Sequence, residues 1–140
     1  MENKYIIVVS YIQDLSVEIP SPETLITIRN TIPQYVMKVD IKSKPLKRKM
    51  IEVLTTLTYE NPNIKKDKGF FQIKYATAIE IIDVQIKKTE LEKIVLCDLQ
   101  TKIYPELENK FLTILRNSGL PDLQFGYKID FEKLYNERLN

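Results

Sequence analysis

The side chains able to do chemistry in this 140-residue chain are carboxylates, lysines, tyrosines and one thiol, because histidine is absent. Without imidazole, the usual general base, proton shuttle and neutral metal ligand are missing. The acids are scattered along helical and strand faces and are not paired across an apolar cleft, so they read as solvated surface and no catalytic residue is assigned. Glycine stands only at Gly69, Gly119 and Gly126, too sparsely for a phosphate-cradling loop or a dinucleotide fingerprint. Cys97 is the only cysteine, which excludes an internal disulfide or a thiolate metal cluster within one chain and leaves buried apolar filler as its expected role. No cofactor, no metal site and no enzymatic activity are expected.

The remaining chemistry is that of charge. Lys42, Lys44, Lys47, Arg48 and Lys49 surround one predicted hairpin, and Lys65, Lys66 and Lys68 the next. Basic turns with nearby aromatics can hold phosphates and stack bases, which makes a small basic RNA-binding module one reading. Solvated turns with lysines guarding edge strands are the other, and it is favoured because acids intervene and no nucleic-acid motif is present. The chain balances 21 Lys and Arg against 19 Asp and Glu. Asp14 and Glu18 lie on an alternating stretch that runs into Pro20 and by themselves read as a solvated strand face.

The elements that position these groups follow from periodicity. Tyr11 to Ile19 alternates as a strand, and Pro20-Ser21-Pro22-Glu23 breaks it. Residues 24–33 mix polar and apolar side chains without a clean period and are expected to form a crossover loop. Alternation returns from Tyr35 through Met37, Val39 and Ile41, and after a turn at residues 44–47 it continues through Ile51, Val53, Thr55, Leu57 and Tyr59. A fourth strand carries Phe71, Ile73, Tyr75, Thr77, Ile79 and Ile81. The period then becomes helical: Thr89 and Glu92 read as a capping box, and Leu91, Ile94, Val95 and Leu99 follow at helical spacing. Pro105 is expected in the first turn of a longer helix with the stripe Leu107, Phe111, Ile114 and Leu115, stopped at Ser118-Gly119. Asp130 caps a last short helix with Phe131, Leu134 and Tyr135 on one side. Strands first and helices last predict an α+β fold, a four-stranded antiparallel sheet with C-terminal helices packed on one side.

With 44% hydrophobic residues the chain is expected to form a single domain over 1–140, burying about two-thirds of its unfolded surface. No apolar run approaches the roughly 18 residues needed to span a bilayer, and Met1-Glu2-Asn3-Lys4 opens without an export cleavage site. A cytoplasmic protein with no direct membrane insertion is expected.

The segment Tyr11-Ile12-Gln13-Asp14-Leu15-Ser16-Val17-Glu18-Ile19-Pro20 resembles the first strand of the SecB export chaperones: tyrosine, two variable positions, aspartate, an aliphatic, serine, an apolar residue, glutamate, any residue, proline. Later segments are similar too, in order and with compatible spacing. Residues 70–81 resemble the fourth strand, and Ile103-Tyr104-Pro105 stands where the family has an aliphatic, phenylalanine and proline before its long helix. Residues 117–123 resemble the polar turn with its apolar-proline pair, and residues 130–135 the terminal motif. The resemblance covers roughly 5–139. It departs at Glu108, where the family usually has arginine, and at Leu99-Gln100, where it has a cysteine-proline pair with which Cys97 is not equated.

The resemblance implies a holdase for unfolded preproteins that delivers them to the SecA motor for Sec-dependent export. Apolar client contacts are expected at Ile19, Leu25, Ile26, Tyr35, Met37, Leu123, Phe125, Leu134 and Tyr135. A docking face for the basic tail of SecA is expected at Asp14, Glu18, Phe70 and Gln72, the last in place of a third acid. A homotetramer, a dimer of dimers, is implied, its helical interface formed by Leu107, Phe111, Leu112, Ile114 and Leu115. A chaperone dedicated to the antitoxin of a toxin–antitoxin pair is the alternative within the same fold.

Overall fold

The computed structural model describes residues 4–66, 68–126 and 128–139. The opening Met1-Glu2-Asn3 and the final Asn140 lie outside them. Four strands, β1 (Tyr5–Glu18), β2 (Val36–Pro45), β3 (Met50–Glu60) and β4 (Phe70–Ile81), form one antiparallel sheet in the order β1-β4-β3-β2. The helices are α1 (Pro22–Asn30), α2 (Lys88–Lys93), α3 (Leu99–Arg116) and α4 (Phe131–Leu139). The α+β reading with a four-stranded antiparallel sheet therefore holds.

The helix-facing side of the sheet is the core. Phe71, Ile73, Tyr75, Thr77, Ile79 and Ile81 of β4 are all buried, as are Val53, Thr55, Leu57 and Tyr59 of β3. Against them pack Leu99, Ile103, Leu107, Phe111 and Leu115 of α3. Tyr59, Phe125 and Phe111 form a ring chain, with centroids 5.2 Å and 6.1 Å apart, that ties the sheet to α3 through the loop before α4. Edge-on and tilted rings at this spacing add attraction beyond burial alone.

Four local expectations are corrected. Residues 24–33 are not a loop: Ser21 caps α1 by accepting a hydrogen bond from the Thr24 amide, Pro22 occupies the first turn, and a 3₁₀ turn over Ile32–Gln34 follows. The segment's β-branched residues hide a one-sided pattern in which only Thr24 and Ile28, four apart, are buried. The Thr89 and Glu92 capping box does not form, because α2 already begins at Lys88 and has no side-chain cap. Pro105 lies within α3 and not in its first turn. It is exposed, and its ring removes the amide that would bond the Thr101 carbonyl.

The fourth correction is to the stripe on α3. Leu107, Phe111 and Leu115 are fully buried inside their own chain, so they are not open to a neighbouring helix. Leu112 and Ile114 remain half-exposed. A single apolar face was available, and covering the sheet consumed it.

Between α2 and α3 the chain makes one π-helical turn, Ile94–Asp98, in which the Leu99 amide reaches the Ile94 carbonyl. The widened turn leaves the Val95 carbonyl to the side chain of Gln100, whose Nε2 donates to it at 3.2 Å. Gln100 Oε1 accepts from the Thr55 hydroxyl at 3.1 Å, so a fully buried amide is satisfied on both ends and pins α3 to β3. Cys97, in the same turn, is buried, and burial first, then Asp98, pushes its thiol pKa up.

Candidate functional site

β1 is a rim strand of 14 residues, and its register against β4 shifts twice, between Ile7 and Val9 and between Ile12 and Asp14. Each extra residue switches the faces. Strict alternation would put Ile12 and Asp14 on one side; instead Ile12 lies opposite Tyr75 on the helix side and Asp14 opposite Lys74 on the open side. Tyr11, Asp14, Ser16 and Glu18 consequently share the open face with Phe70, Gln72 and Lys74 of β4.

The four residues expected to dock a basic tail are thus brought together, with Glu18 opposite Phe70 and Ser16 opposite Gln72. Gln72 is spoken for, donating to the Thr58 hydroxyl at 3.0 Å. Lys74 stands beside the acids, and a cation there opposes attraction to a basic partner.

The nine expected client residues divide into two places and three degrees of exposure. Ile26 is 59% exposed on α1, and Leu134 is 49% exposed on α4. Ile19, Leu25, Met37 and Phe125 are half-buried against the core. Tyr35, Leu123 and Tyr135 are buried and hold the structure together. Tyr35 packs on Tyr59 at 5.1 Å, and burial pushes both phenol pKa values up, that of Tyr59 to about 12. Leu25 lies under Gly119, where an added Cβ would approach its Cδ2 to 3.0 Å, and Arg29 donates to the Gly119 carbonyl at 2.8 Å. α1 is therefore fastened to the turn after α3, and its Ile26 faces out beside the half-buried group. Leu134 belongs to a separate surface, since α4 packs on the π-helical turn.

Two features escaped the sequence reading. A cleft of about 1250 Å³ lies between the start of β1, the π-helical turn, α3 and α4, with Tyr5, Ile94, Cys97, Tyr104 and Phe131 in its lining. Lys102 Nζ sits 4.5 Å from the centroid of the Tyr5 ring at this place. The other feature is the rim itself. Ile6, Val9 and Tyr11 are exposed on the open side and Ile7, Ile12 and Leu15 on the helix side, Val9 reaching 50% and Ile7 41%. The signal was the unbroken run Ile6-Ile7-Val8-Val9, which does not alternate and so asks for cover on both faces.

A sheet whose rim is apolar on both faces, with the half-buried Phe125 and Met37 beside an exposed helix face, offers the kind of surface that binds other polypeptides. Its closer kinship comes from comparison. The chain matches the family described as Preprotein translocase subunit SecB across residues 1–140, and it belongs to the SecB family. A Pelagibacter ubique (strain HTCC1062) protein that carries a provisional SecB protein-export name is 42% identical over the whole length of both chains. The protein-export protein SecB of Parvibaculum lavamentivorans (strain DS-1) is 26% identical over 94% of this chain and 77% of its own. Among solved structures, the Mycobacterium tuberculosis SecB-like chaperone Rv1957, in complex with a ChAD peptide from the Rv1956 HigA1 antitoxin, shares the fold with a TM-score of 0.64. That match is 11% identical and covers 89% of this chain and 91% of that one. Family and relatives together make this a SecB-type chaperone.

Proposed function

We propose that several copies of this chaperone hold preproteins unfolded in the cytoplasm and hand them to SecA for export, with no bond made or broken. The carrying observation is the apolar surface left open around Ile26, Ile19, Leu25, Met37 and Phe125. Dispersion and desolvation ask little about a client's sequence, and the half-buried Met37 and Phe125 can repack around different side chains. Selectivity then rests on how slowly a client folds.

Assembly uses two further apolar places on the subunit, the β1 rim and the half-exposed Leu112 and Ile114 of α3. Two β1 rims pair edge to edge into a dimer, hiding Ile6, Val9 and Tyr11 of each copy, and two dimers stack through Leu112 and Ile114 into a tetramer. SecA docks on Asp14, Glu18, Phe70 and Gln72, more weakly than on a fully acidic face because Lys74 faces Asp14. Service to an antitoxin is the second reading, favoured by the peptide-bound Mycobacterium tuberculosis structure. We rank it second because the relatives that are 42% and 26% identical carry protein-export names.

The test is an aggregation assay. Unfolded preprotein is diluted from denaturant with and without the chaperone, in the absence of nucleotide, and light scattering and complex mass are followed. Suppressed scattering with a defined complex is expected; full aggregation beside a folded, assembled chaperone would refute the reading.

A further inference from the structure

β2 forms the opposite rim of the sheet, and its chemistry is the reverse of that of β1. Between residues 36 and 50 the chain carries six cations, Lys38, Lys42, Lys44, Lys47, Arg48 and Lys49, against the single acid Asp40. Lys38, Asp40, Lys42 and Lys44 alternate and share the open face of β2, beside Glu52, Leu54, Thr56, Thr58 and Glu60 of β3. Lys38 pairs with Glu60 at 2.6 Å and Lys44 reaches Glu52 at 3.8 Å. Among the described residues Lys42, Lys47, Arg48 and Lys49 make no ion pair. Behind the rim lies a depression lined by Lys38, Asp40, Lys42, Thr56, Gln72 and Lys74.

The hairpin tip repeats the theme. Arg48 and Lys49 both hold positive φ, 60° and 63°, a pair of left-handed residues for which Asn-Gly is the unstrained choice. Two long cations stand there instead.

We infer that the β2 rim is a docking strand for an acidic, extended polypeptide segment with carboxylates at alternate positions. A rim strand offers a row of outward N–H and C=O groups, and an added strand would bond to them along its length. Alternate residues on both strands then recur every 6–7 Å or so, which sets the partner's carboxylates against Lys38, Lys42 and Lys44 and one against Asp40, a single unfavourable contact among three favourable ones. Lys47, Arg48 and Lys49 meet the segment's end. A second copy of β2 is disfavoured, since lysine would face lysine. A nucleic acid is disfavoured because the exposed rings Tyr11 and Phe70 lie on β1 and β4, leaving no stacking platform on β2 among the described residues. The lysines lie on the open face of β2, whereas Met37 of the client surface, on the same strand, lies opposite Tyr59 on the helix side, so the two sites use different faces.

The test is fluorescence anisotropy of a labelled peptide of alternating glutamate and threonine, about ten residues long, titrated with the full chain. Saturable binding that weakens with salt is expected. Lys42→Glu with Arg48→Glu should weaken it about tenfold or more, while Lys65→Glu with Lys66→Glu on the next turn leaves it unchanged. A peptide with proline in place of each threonine keeps the charge but cannot pair as a strand, and it too should bind about tenfold more weakly. Equal affinity for the proline peptide, tighter binding of an oligouridylate of the same charge, or no binding at all would each overturn the proposal. Circular dichroism checks that the variants keep their sheet. Their suppression of preprotein aggregation should be untouched, and its loss together with peptide binding would overturn the claim of a separate site.

Discussion

The two rims of one sheet solve the same problem in opposite ways. β1 and β2 each have a neighbour on one side only, and each therefore presents unpaired backbone groups. β1 fills its exposed positions with Ile6, Ile7, Val8, Val9 and Tyr11, whereas β2 sets Lys38, Asp40, Lys42 and Lys44 on its open face. An apolar rim invites a matching apolar rim, and a lysine rim repels its own kind while remaining open to an acidic strand. In the proposed assembly, the apolar edge closes on a copy and the lysine edge stays available.

The largest expected effect comes from charging the apolar rim. Ile7→Lys with Val9→Lys places four like charges near the axis of a β1–β1 pair, and like charges across an interface cost several kcal/mol, so assembly should weaken by about a hundredfold or more. Sedimentation should show a shift toward the monomer with helical and sheet content intact; an unchanged mass would mean that β1 is not the seam. The reverse exchange is expected to do less. Lys42→Val with Lys44→Val removes the guard from the other rim, and concentration-dependent association beyond the wild-type assembly should appear by light scattering. If it does not, something besides lysine protects β2.

The smallest effect concerns what the rims share. Tyr59 lies between them on β3, and burial, then Tyr35, pushes its phenol up to about 12. Because its folded pKa exceeds the ordinary value near 10, the protonated phenol's contribution is fully present below that pH and is lost as pH rises toward 12. Stability to urea should decline over that interval, and less so in Tyr59→Phe. A decline that is identical in the variant would assign alkaline loss to other groups.

Much of this molecule was legible in its residues. The strands were marked by alternation that ran long enough to be unambiguous, as in Phe71 to Ile81, and Asp130 fulfilled its cap by accepting from the Lys133 amide at 3.0 Å. Helix α1 was not legible, because Ile26, Thr27 and Ile28 carry no clean period and its register depends on Leu25 meeting Gly119, some ninety residues away. Asp14, Glu18, Phe70 and Gln72, expected to dock a basic tail, share one face; Lys74 joins Phe70 and Gln72 there by alternation along β4, and only the pairing with β1 sets it against Asp14. Tyr35, Leu123 and Tyr135 read as open client contacts and proved to be core, since an apolar side chain looks the same in sequence whether it faces a partner or its own sheet.

By itself the sequence determined the sheet-then-helix order, the absence of imidazole chemistry, the apolar run of β1 and the basic run around β2, because composition and period are local properties. Only the tertiary structure decided that these two runs are the opposite rims of one sheet, that two bulges turn Asp14 away from Ile12, and that the stripe of Leu107, Phe111 and Leu115 is spent inside the subunit. Each of those outcomes depends on which strand pairs with which and on how much apolar surface the helices can cover, quantities set by contacts between residues far apart in the chain.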